Sequence, residues 1–232
     1  MARNRGFAAF SILFALGEFS FLVFTLPSSA RMNQKCDDAI EIAQRENASD
    51  HKTLVEIADR CIRTEPTDEF YRHVKGVSEY RLGRIEDAIA TMKAAALMQE
   101  AQNDELKRPW EQQGMRLGMT YWFLTTFLTY KSLFGVESTG LKAEVNQSLT
   151  ELYRLAGCAD LSKTPVGSDN FLNQDERLAI CLDALHVKAW LYINDDNREM
   201  GCKMLSGLKG KAYDLPLSPL DPKEMHASCE SS

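Results

Sequence analysis

The stretch YRLGRIEDAIATMKAAALM, residues 80–98, carries the clearest structural pattern in this chain of 232 residues. Its apolar residues recur at intervals of three and four, the spacing that places side chains on one face of an α-helix. These residues are Ile85, Ala88, Ile89, Met92, Ala95 and Ala96. They follow Leu82-Gly83-Arg84, and a glycine at such a place is typical of a turn that ends the preceding helix. The stretch therefore predicts a helical hairpin whose turn is at Gly83.

The same residues carry a resemblance to a repeat family. Gly83 is followed by Ala88 and Ala95 at a spacing that resembles the tetratricopeptide (TPR) family, whose units of about 34 residues are helix-turn-helix pairs. About one repeat length before the end of this unit stands Pro66, the residue type that closes a TPR unit. The resemblance implies an all-α fold in which TPR-like hairpins stack as a short solenoid over residues 31–212.

Three polar residues depart from the family pattern in the first helix of this hairpin. Arg72, Lys75 and Glu79 stand at places where the family is usually apolar. We therefore expect this helix to be rotated, or one residue out of step, relative to a standard TPR helix.

The resemblance also implies a function and a site. TPR proteins bind partners on a concave surface that is lined by the first helix of each repeat. By resemblance, the candidate partner-binding residues are His73, Val77, Tyr80 and Arg81. The expected function is that of a non-enzymatic scaffold or adaptor in the cell envelope, which binds another protein through shape and polar contact.

The first 30 residues predict a signal peptide or a membrane anchor. Two arginines lie among the first five residues, Gly6 to Leu26 are mostly apolar, and Ser28 and Ala30 give the spacing of a cleavage site. The apolar stretch is also about as long as a membrane span. A carboxylate such as Glu18 near the middle of a permanent span costs about 2.5–3.5 kcal/mol, so cleavage after Ala30 is favoured.

Both interpretations export residues 31–232, so we expect a periplasmic or secreted protein, or one that residues 6–26 anchor to the membrane. The anchored form defines an alternative function, a structural or accessory subunit of a membrane protein complex. In that form Glu18 would contact another membrane helix, since intramembrane carboxylates usually have a partner.

Composition and motifs exclude several classes of function. The formal net charge of −6 argues against nucleic acid as a partner, because that affinity rests on clustered Lys and Arg. No HExxH, P-loop, GxGxxG or GxSxG motif is present, and the four histidines are scattered. We therefore predict no enzymatic activity, no cofactor and no metal, and a protein as the partner.

The cysteines predict a disulfide framework. Six cysteines, an even number, all lie beyond the first 30 residues, and none forms a CxxC pair. In an exported chain this pattern indicates disulfide bonds, and it argues against a zinc site. The cysteines are Cys36, Cys61, Cys158, Cys181, Cys202 and Cys229.

The position of a turn suggests the first pairing. Asn47 to Asp50 have the composition of a turn and lie midway between Cys36 and Cys61. Residues at equal distances from a hairpin turn face each other on antiparallel helices. We therefore predict a Cys36–Cys61 bond that closes the outer end of the first hairpin.

The other four cysteines are less constrained by the sequence. A turn at residues 194–197 lies beyond the midpoint of Cys181 and Cys202, which argues against a bond between these two. Pairing in chain order, Cys158 with Cys181 and Cys202 with Cys229, is the remaining simple arrangement. Other pairings stay open at this level.

The rest of the chain is also predicted to be mostly helical. A long apolar helix from Pro109 to Gly135 is expected to be a buried core helix, or alternatively the aromatic floor of a partner-binding groove. A helix over 141–156 and a hairpin of helices over 174–193 and 198–208 follow. The tail, residues 213–232, contains three prolines and is expected to be extended.

Overall fold

The computed structural model describes residues 36, 38–41, 50–106, 110–135, 139–158, 174–195, 197–208 and 218–230. These residues are helical apart from short connections and contain no strand, which confirms the predicted all-α class. The predicted signal peptide or anchor, residues 1–30 with Glu18, lies outside the described residues. The same is true of most of the predicted turn before Asp50.

Eight helices are described over their full length. They are α1 (His51–Thr64), α2 (Glu69–Arg81), α3 (Ile85–Leu106), α4 (Trp110–Phe134), α5 (Thr139–Leu155), α6 (Gln174–Asn194), α7 (Arg198–Ser206) and α8 (Pro222–Glu230). The described residues divide into two compact units, one that ends at Gln113 and one that starts at Gly114. The predicted repeat domain, residues 31–212, contains parts of both units.

Side-chain caps start the first helices of the N-terminal unit. Asp50 accepts hydrogen bonds from the amide of Thr53 at 3.1 Å and from its hydroxyl at 2.6 Å, which caps α1. Asp68 accepts a hydrogen bond from the amide of Phe70 at 2.9 Å and caps α2 in the same way. Each cap satisfies an amide that has no partner within its own helix.

The turn between α2 and α3 lies at Gly83, as the sequence predicts. Gly83 has φ +74°, in the left-handed region that glycine adopts without strain. The amide of Arg84 donates to the carbonyl of Glu79 at 2.9 Å, which closes the end of α2. Three residues therefore reverse the chain and set α3 against α2.

Helices α2 and α3 pack closely along their shared face. Ala88, Met92 and Ala95 of α3 are fully buried. A Cβ atom on Gly76 of α2 would lie 2.2 Å from the terminal methyl carbon of Met92, so the glycine makes room for this side chain. On its other side α2 packs against α1, where Tyr71 joins a core cluster with Leu54 and other apolar residues.

The C-terminal unit is built around α4. Its residues from Leu117 to Leu128 are almost all buried, including Phe123 and Phe127, which favours a core helix over a partner-binding groove. Helix α5 contributes a buried stripe at helical spacing, namely Leu141, Val145, Leu149, Leu152 and Leu155. No helix in the described part of the chain has both the length and the hydropathy needed to cross a bilayer.

Three disulfide bonds reinforce the helical packing. Cys36 is joined to Cys61 in the N-terminal unit, and Cys158–Cys181 and Cys202–Cys229 lie in the C-terminal unit. The presence of disulfide bonds is thus confirmed, and they pair the cysteines in chain order. Cys61, Cys158 and Cys181 are buried, whereas both Cys202 and Cys229 are partly exposed.

The C-terminal tail corrects one prediction. Pro222–Glu230 form helix α8, although the prolines of residues 213–232 suggested an extended segment. Asp221 accepts a hydrogen bond from the amide of Lys223 at 2.8 Å and so caps the helix, and proline is well suited to the first helical position. Pro222 therefore starts a helix here instead of preventing one.

A glycine allows the close crossing of α6 and α7. A Cβ atom on Gly201 would lie 2.7 Å from the carbonyl oxygen of Ala189 and 2.6 Å from a side-chain carbon of Ile193. Since a backbone carbonyl cannot move aside cheaply, we expect Gly201→Ala to lower the free energy of unfolding by about 2 kcal/mol. Urea denaturation followed by circular dichroism measures this loss.

The same substitution at Gly140 is the matched control. Gly140 lies in the exposed first turn of α5, and a Cβ atom there would meet no atom within 4 Å. Gly140→Ala should stabilise the protein by about 0.5–1 kcal/mol, because alanine loses less backbone entropy on folding. If Gly201→Ala does not lower the free energy of unfolding relative to Gly140→Ala, then α6 and α7 do not cross this closely.

Candidate functional site

The four candidate partner-binding residues on α2 do not share one surface. His73 and Val77 are buried, with 4% and 5% of their surface exposed, whereas Tyr80 is half-buried and Arg81 is exposed. The reason is the packing of α2, whose middle is enclosed by α1 on one side and α3 on the other. Direct contact with a partner is therefore open to Tyr80 and Arg81, while His73 and Val77 belong to the packing of the hairpin.

The end of α2 and the turn after it form an exposed surface. We use the name α2-end surface for Tyr80, Arg81, Leu82 and Arg84. Leu82 is 41% exposed, a large value for an apolar side chain, and its amide donates to the carbonyl of Ser78 at 3.0 Å. The surface thus combines an aromatic ring, an apolar side chain and two guanidinium groups on a well-defined turn.

Two of the four residues of this surface, Arg81 and Arg84, are cations in a chain whose net charge is −6. Partial desolvation lowers the pKa of Arg81 although the residue is exposed, and burial lowers the pKa of His51, with the charge of Arg81 as the second cause. The start of α1 therefore lies within electrostatic range of the end of α2. Arg84 donates from Nε to the carboxylate of Asp87 at 2.8 Å, and this hydrogen bond raises the pKa of Arg84.

A polar cluster lies beneath the α2-end surface. Glu79 is only 2% exposed, and its carboxylate accepts a hydrogen bond from the hydroxyl of Thr91 at 2.7 Å. Its other oxygen lies 3.6 Å from the guanidinium of Arg84 and 3.8 Å from the ammonium of Lys75. Lys75 in turn pairs with Asp59 of α1 at 2.6 Å. The cluster thus links α1, α2, the turn and α3.

The polar cluster explains two departures from the TPR pattern. Glu79 and Lys75 occupy places where the family is usually apolar, and here they satisfy each other and their neighbours. Burial raises the pKa of Glu79, while the hydroxyl of Thr91 and the nearby cations Lys75 and Arg84 oppose that rise. Partnered buried charges fix the alignment of packed elements more than they add stability. We infer that the cluster holds Arg84 in place on the α2-end surface.

Arg72, the third polar residue that departs from the TPR pattern, binds the backbone of the connection before α2. Its guanidinium donates to the backbone carbonyl of Pro66 at 2.6 Å. Gln102 of α3 donates to the carbonyl of Thr67 at 2.9 Å, so two side chains hold the connection before α2.

The C-terminal unit contains a second polar centre that the sequence analysis did not identify. Asp183 of α6 is 2% exposed and accepts hydrogen bonds from the indole Nε1 of Trp122 and from the hydroxyl of Ser218, both at 2.8 Å. Burial raises the pKa of Asp183, and the two hydrogen bonds oppose that rise. The only sign of it in the sequence is a carboxylate within an apolar stretch.

Two histidines lie near this centre. His186, also on α6, is buried, and its Nδ1 lies 2.8 Å from the carbonyl oxygen of Leu182. Burial lowers the pKa of His186, and the ring of His226 on α8 lies 6.5 Å away between centroids. Asp183 and His186 face the interior of the unit, so their role is to join α4, α6 and the C-terminal segment.

No group of three His, Cys, Asp or Glu side chains in the described ranges is arranged to hold a metal ion. The α2-end surface brings together an aromatic, an apolar and two cationic side chains at one turn. Comparisons with protein-family models, with curated proteins and with solved structures produced no match.

Proposed function

We propose that this protein is a non-enzymatic scaffold or adaptor that binds another protein through the α2-end surface. The observation that carries the proposal is the exposure of Arg81 and Leu82 beside the half-buried Tyr80, at the turn of a tightly packed hairpin. Tyrosine and arginine are enriched among the residues that contribute most to protein interfaces.

The chemistry of the surface indicates the kind of partner. Arg81 favours a partner segment that carries a carboxylate, since arginine binds carboxylates through paired hydrogen bonds. Leu82 offers an apolar contact beside this charge, and Tyr80 offers a ring with a hydroxyl group. An acidic segment with an apolar side chain fits this combination.

The rigidity of the hairpin supports the same function. Arg84 is held by Asp87 at 2.8 Å and lies near the buried Glu79, and Gly83 fixes the turn between α2 and α3. A surface that is ordered before binding loses less conformational entropy when its partner docks.

The disulfide bonds indicate an oxidising, extracytoplasmic environment, because such bonds persist where thiols are not kept reduced. Within that environment we propose the cell envelope, either the periplasm or the outside of the cell. The TPR-like pattern around Gly83 supports a role in assembling proteins there.

Photo-crosslinking in the native host tests the binding surface. A photo-reactive phenylalanine analogue at Tyr80 or at Leu82 should give one adduct of discrete mass, which mass spectrometry then identifies. The matched control carries the analogue at Glu144, an exposed position on α5. Adding Arg81→Glu should reduce the adduct at Tyr80 roughly tenfold, the effect of losing an important interface residue.

Two crosslinking results would contradict the proposed binding surface. If the adducts at Tyr80 and Leu82 are no stronger than at Glu144, or if Arg81→Glu leaves them unchanged in a folded protein, then the α2-end surface is not the binding site. Circular dichroism of the Arg81→Glu variant shows that the fold is retained.

The alternative proposal is a membrane-anchored accessory subunit of a membrane protein complex. It is supported by the apolar residues 6–26 and by Glu18 within them. The intact mass of the natively produced protein separates the two proposals, because a chain that retains residues 1–30 keeps the anchor and a chain that starts at Arg31 has lost it.

A further inference from the structure

Helix α3 has an exposed apolar stripe on the side away from α2. The stripe consists of Ala90, Ala94, Leu97 and Ala101, which are all exposed. At 3.6 residues per turn these four positions fall within an arc of roughly 60°. Leu97 is 68% exposed, so a large apolar side chain projects from the middle of the stripe.

The stripe differs from the usual solvent face of a helix. A helix that packs on one side normally carries charged and polar residues on the other. Alanine and leucine both have high helix propensity, but Leu97 also leaves a large apolar side chain in contact with water. With small residues on both sides of Leu97, another helix could approach α3 closely over about three turns.

Charged residues follow one edge of the stripe at intervals of seven. They are Glu86, Lys93 and Glu100, and each is exposed. The sign of the charge alternates along this edge. A partner helix that pairs with Lys93 and Glu100 must place a negative charge opposite the first and a positive charge opposite the second. A second copy of α3 in the reverse direction does so, because it presents Glu100 and then Lys93.

The register of that arrangement follows from the sequence. In an antiparallel pair of α3 helices, Ala94 packs against Leu97 of the second copy, and Ala90 packs against Ala101. Residues on the same edge then meet across the interface. Lys93 lies opposite Glu100 of the second copy, and Glu100 lies opposite Lys93 of the second copy. Two-fold symmetry therefore produces two identical ion pairs. A parallel pair would not bring these charges together.

We propose that the protein forms a symmetric dimer through the antiparallel packing of α3 on α3 of a second copy. The occupant of the stripe is thus a second copy of this chain, selected by the alternating charges and by the central Leu97. A single pair of helices buries an area at the low end of specific interfaces, so we expect a weak, concentration-dependent dimer. The α2-end surface is formed by other residues, so this proposal does not depend on the proposed function.

Sedimentation equilibrium of the purified full-length chain with its disulfide bonds intact tests the proposal. Lys93→Glu and Glu100→Lys should each weaken dimerisation roughly tenfold, because each replaces two attractive pairs by two repulsive ones. The double variant Lys93→Glu/Glu100→Lys restores opposite charges and should bring the dissociation constant back to within about threefold of the original protein.

The matched control is the same exchange on α1, where Lys52 and Glu56 are exposed. Lys52→Glu, Glu56→Lys and their double variant should leave dimerisation unchanged. Leu97→Asp should abolish the dimer, and circular dichroism checks that each variant is folded.

Two results would overturn the proposal. One is a protein that remains monomeric up to about 1 mM, above the dissociation constants of weak specific complexes. The other is a dimer whose dissociation constant responds no more to the single exchanges at Lys93 and Glu100 than to those at Lys52 and Glu56. In that second case the dimer uses another surface.

Discussion

Replacing both Cys158 and Cys181 by alanine is expected to lower the free energy of unfolding by about 3–5 kcal/mol. The bond joins residues separated by 23 positions, and its loss frees that loop in the unfolded chain. Cys158 and Cys181 are both buried, so alanine also leaves an unfilled space in the core of the C-terminal unit. Urea denaturation followed by circular dichroism measures the change.

The bond between Cys202 and Cys229 provides the control for this expectation. Its sequence separation is 27, so the entropy of closing the loop is nearly the same, but both cysteines are partly exposed. Cys202→Ala/Cys229→Ala should therefore cost less, about 2–3 kcal/mol. An equal or larger loss in this control would show that burial of Cys158 and Cys181 adds nothing to the loop effect.

If the Cys158 and Cys181 variant does not accumulate, graded reduction of the original protein still tests the difference in burial between the two bonds. Under native conditions the partly exposed Cys202–Cys229 bond should be reduced before the buried Cys158–Cys181 bond, since reduction requires access to a sulfur atom. Alkylation and mass spectrometry identify the thiols that appear at each concentration of reductant.

Asp183→Ala is expected to lower the free energy of unfolding by about 2–3 kcal/mol. The indole N–H of Trp122 donates to Asp183 inside the protein, and without that acceptor it becomes a buried donor with no partner. The hydroxyl of Ser218 loses the same residue as its acceptor. Urea denaturation at neutral pH measures the loss.

Asp183→Asn is the matched variant, because asparagine has almost the same shape and no charge. Its carbonyl can accept from Trp122, and its amide can donate to the hydroxyl oxygen of Ser218. We expect this variant to be at least as stable as the original protein at pH 7. A loss as large as that of Asp183→Ala would show that the negative charge itself is needed.

The stability of Asp183→Asn and that of the original protein should also depend differently on pH. Burial raises the pKa of Asp183 above its ordinary value of 3.8, so the folded protein binds this proton more tightly than the unfolded chain does. The stability that protonated Asp183 contributes is fully present at a pH below its ordinary pKa, and it is lost as the pH rises through the pKa of the folded protein. Asparagine does not titrate, so the stability of Asp183→Asn relative to the original protein should increase between pH 4 and pH 7.

This comparison isolates Asp183 from other groups. Burial also raises the pKa of Glu79, but Glu79 is present in both proteins, so its contribution cancels in the difference. A difference in stability that stays constant from pH 4 to pH 7 would contradict the raised pKa of Asp183.

Local signals in the sequence were sufficient for much of the helical structure. The turn at Gly83 and the apolar face of α3 depend on residues that are neighbours in the chain, so their spacing alone predicts them. The predicted bond between Cys36 and Cys61 rests on distances along one hairpin. These features need no knowledge of how distant segments meet.

The burial of His73 and Val77 could not be predicted in this way. A helix between two neighbours is buried on both sides, and the sequence of α2 alone does not show that both α1 and α3 cover it. The buried hydrogen bond of Asp183 is harder still to predict, since Trp122 is 61 positions earlier and only tertiary packing brings the two residues together. Helix α8 differs from the predicted extended tail for a local reason, because Asp221 caps a helix that begins at Pro222.

The order of the disulfide bonds has a consequence for the synthesis of the protein. Each bond joins two cysteines that are consecutive in chain order, first with second, third with fourth and fifth with sixth, over separations of 25, 23 and 27 residues. As the chain crosses a membrane from its N-terminus, the two members of each pair therefore emerge one after the other. An oxidase that joins cysteines as they arrive would make all three native bonds directly, so maturation would require no isomerase to rearrange them.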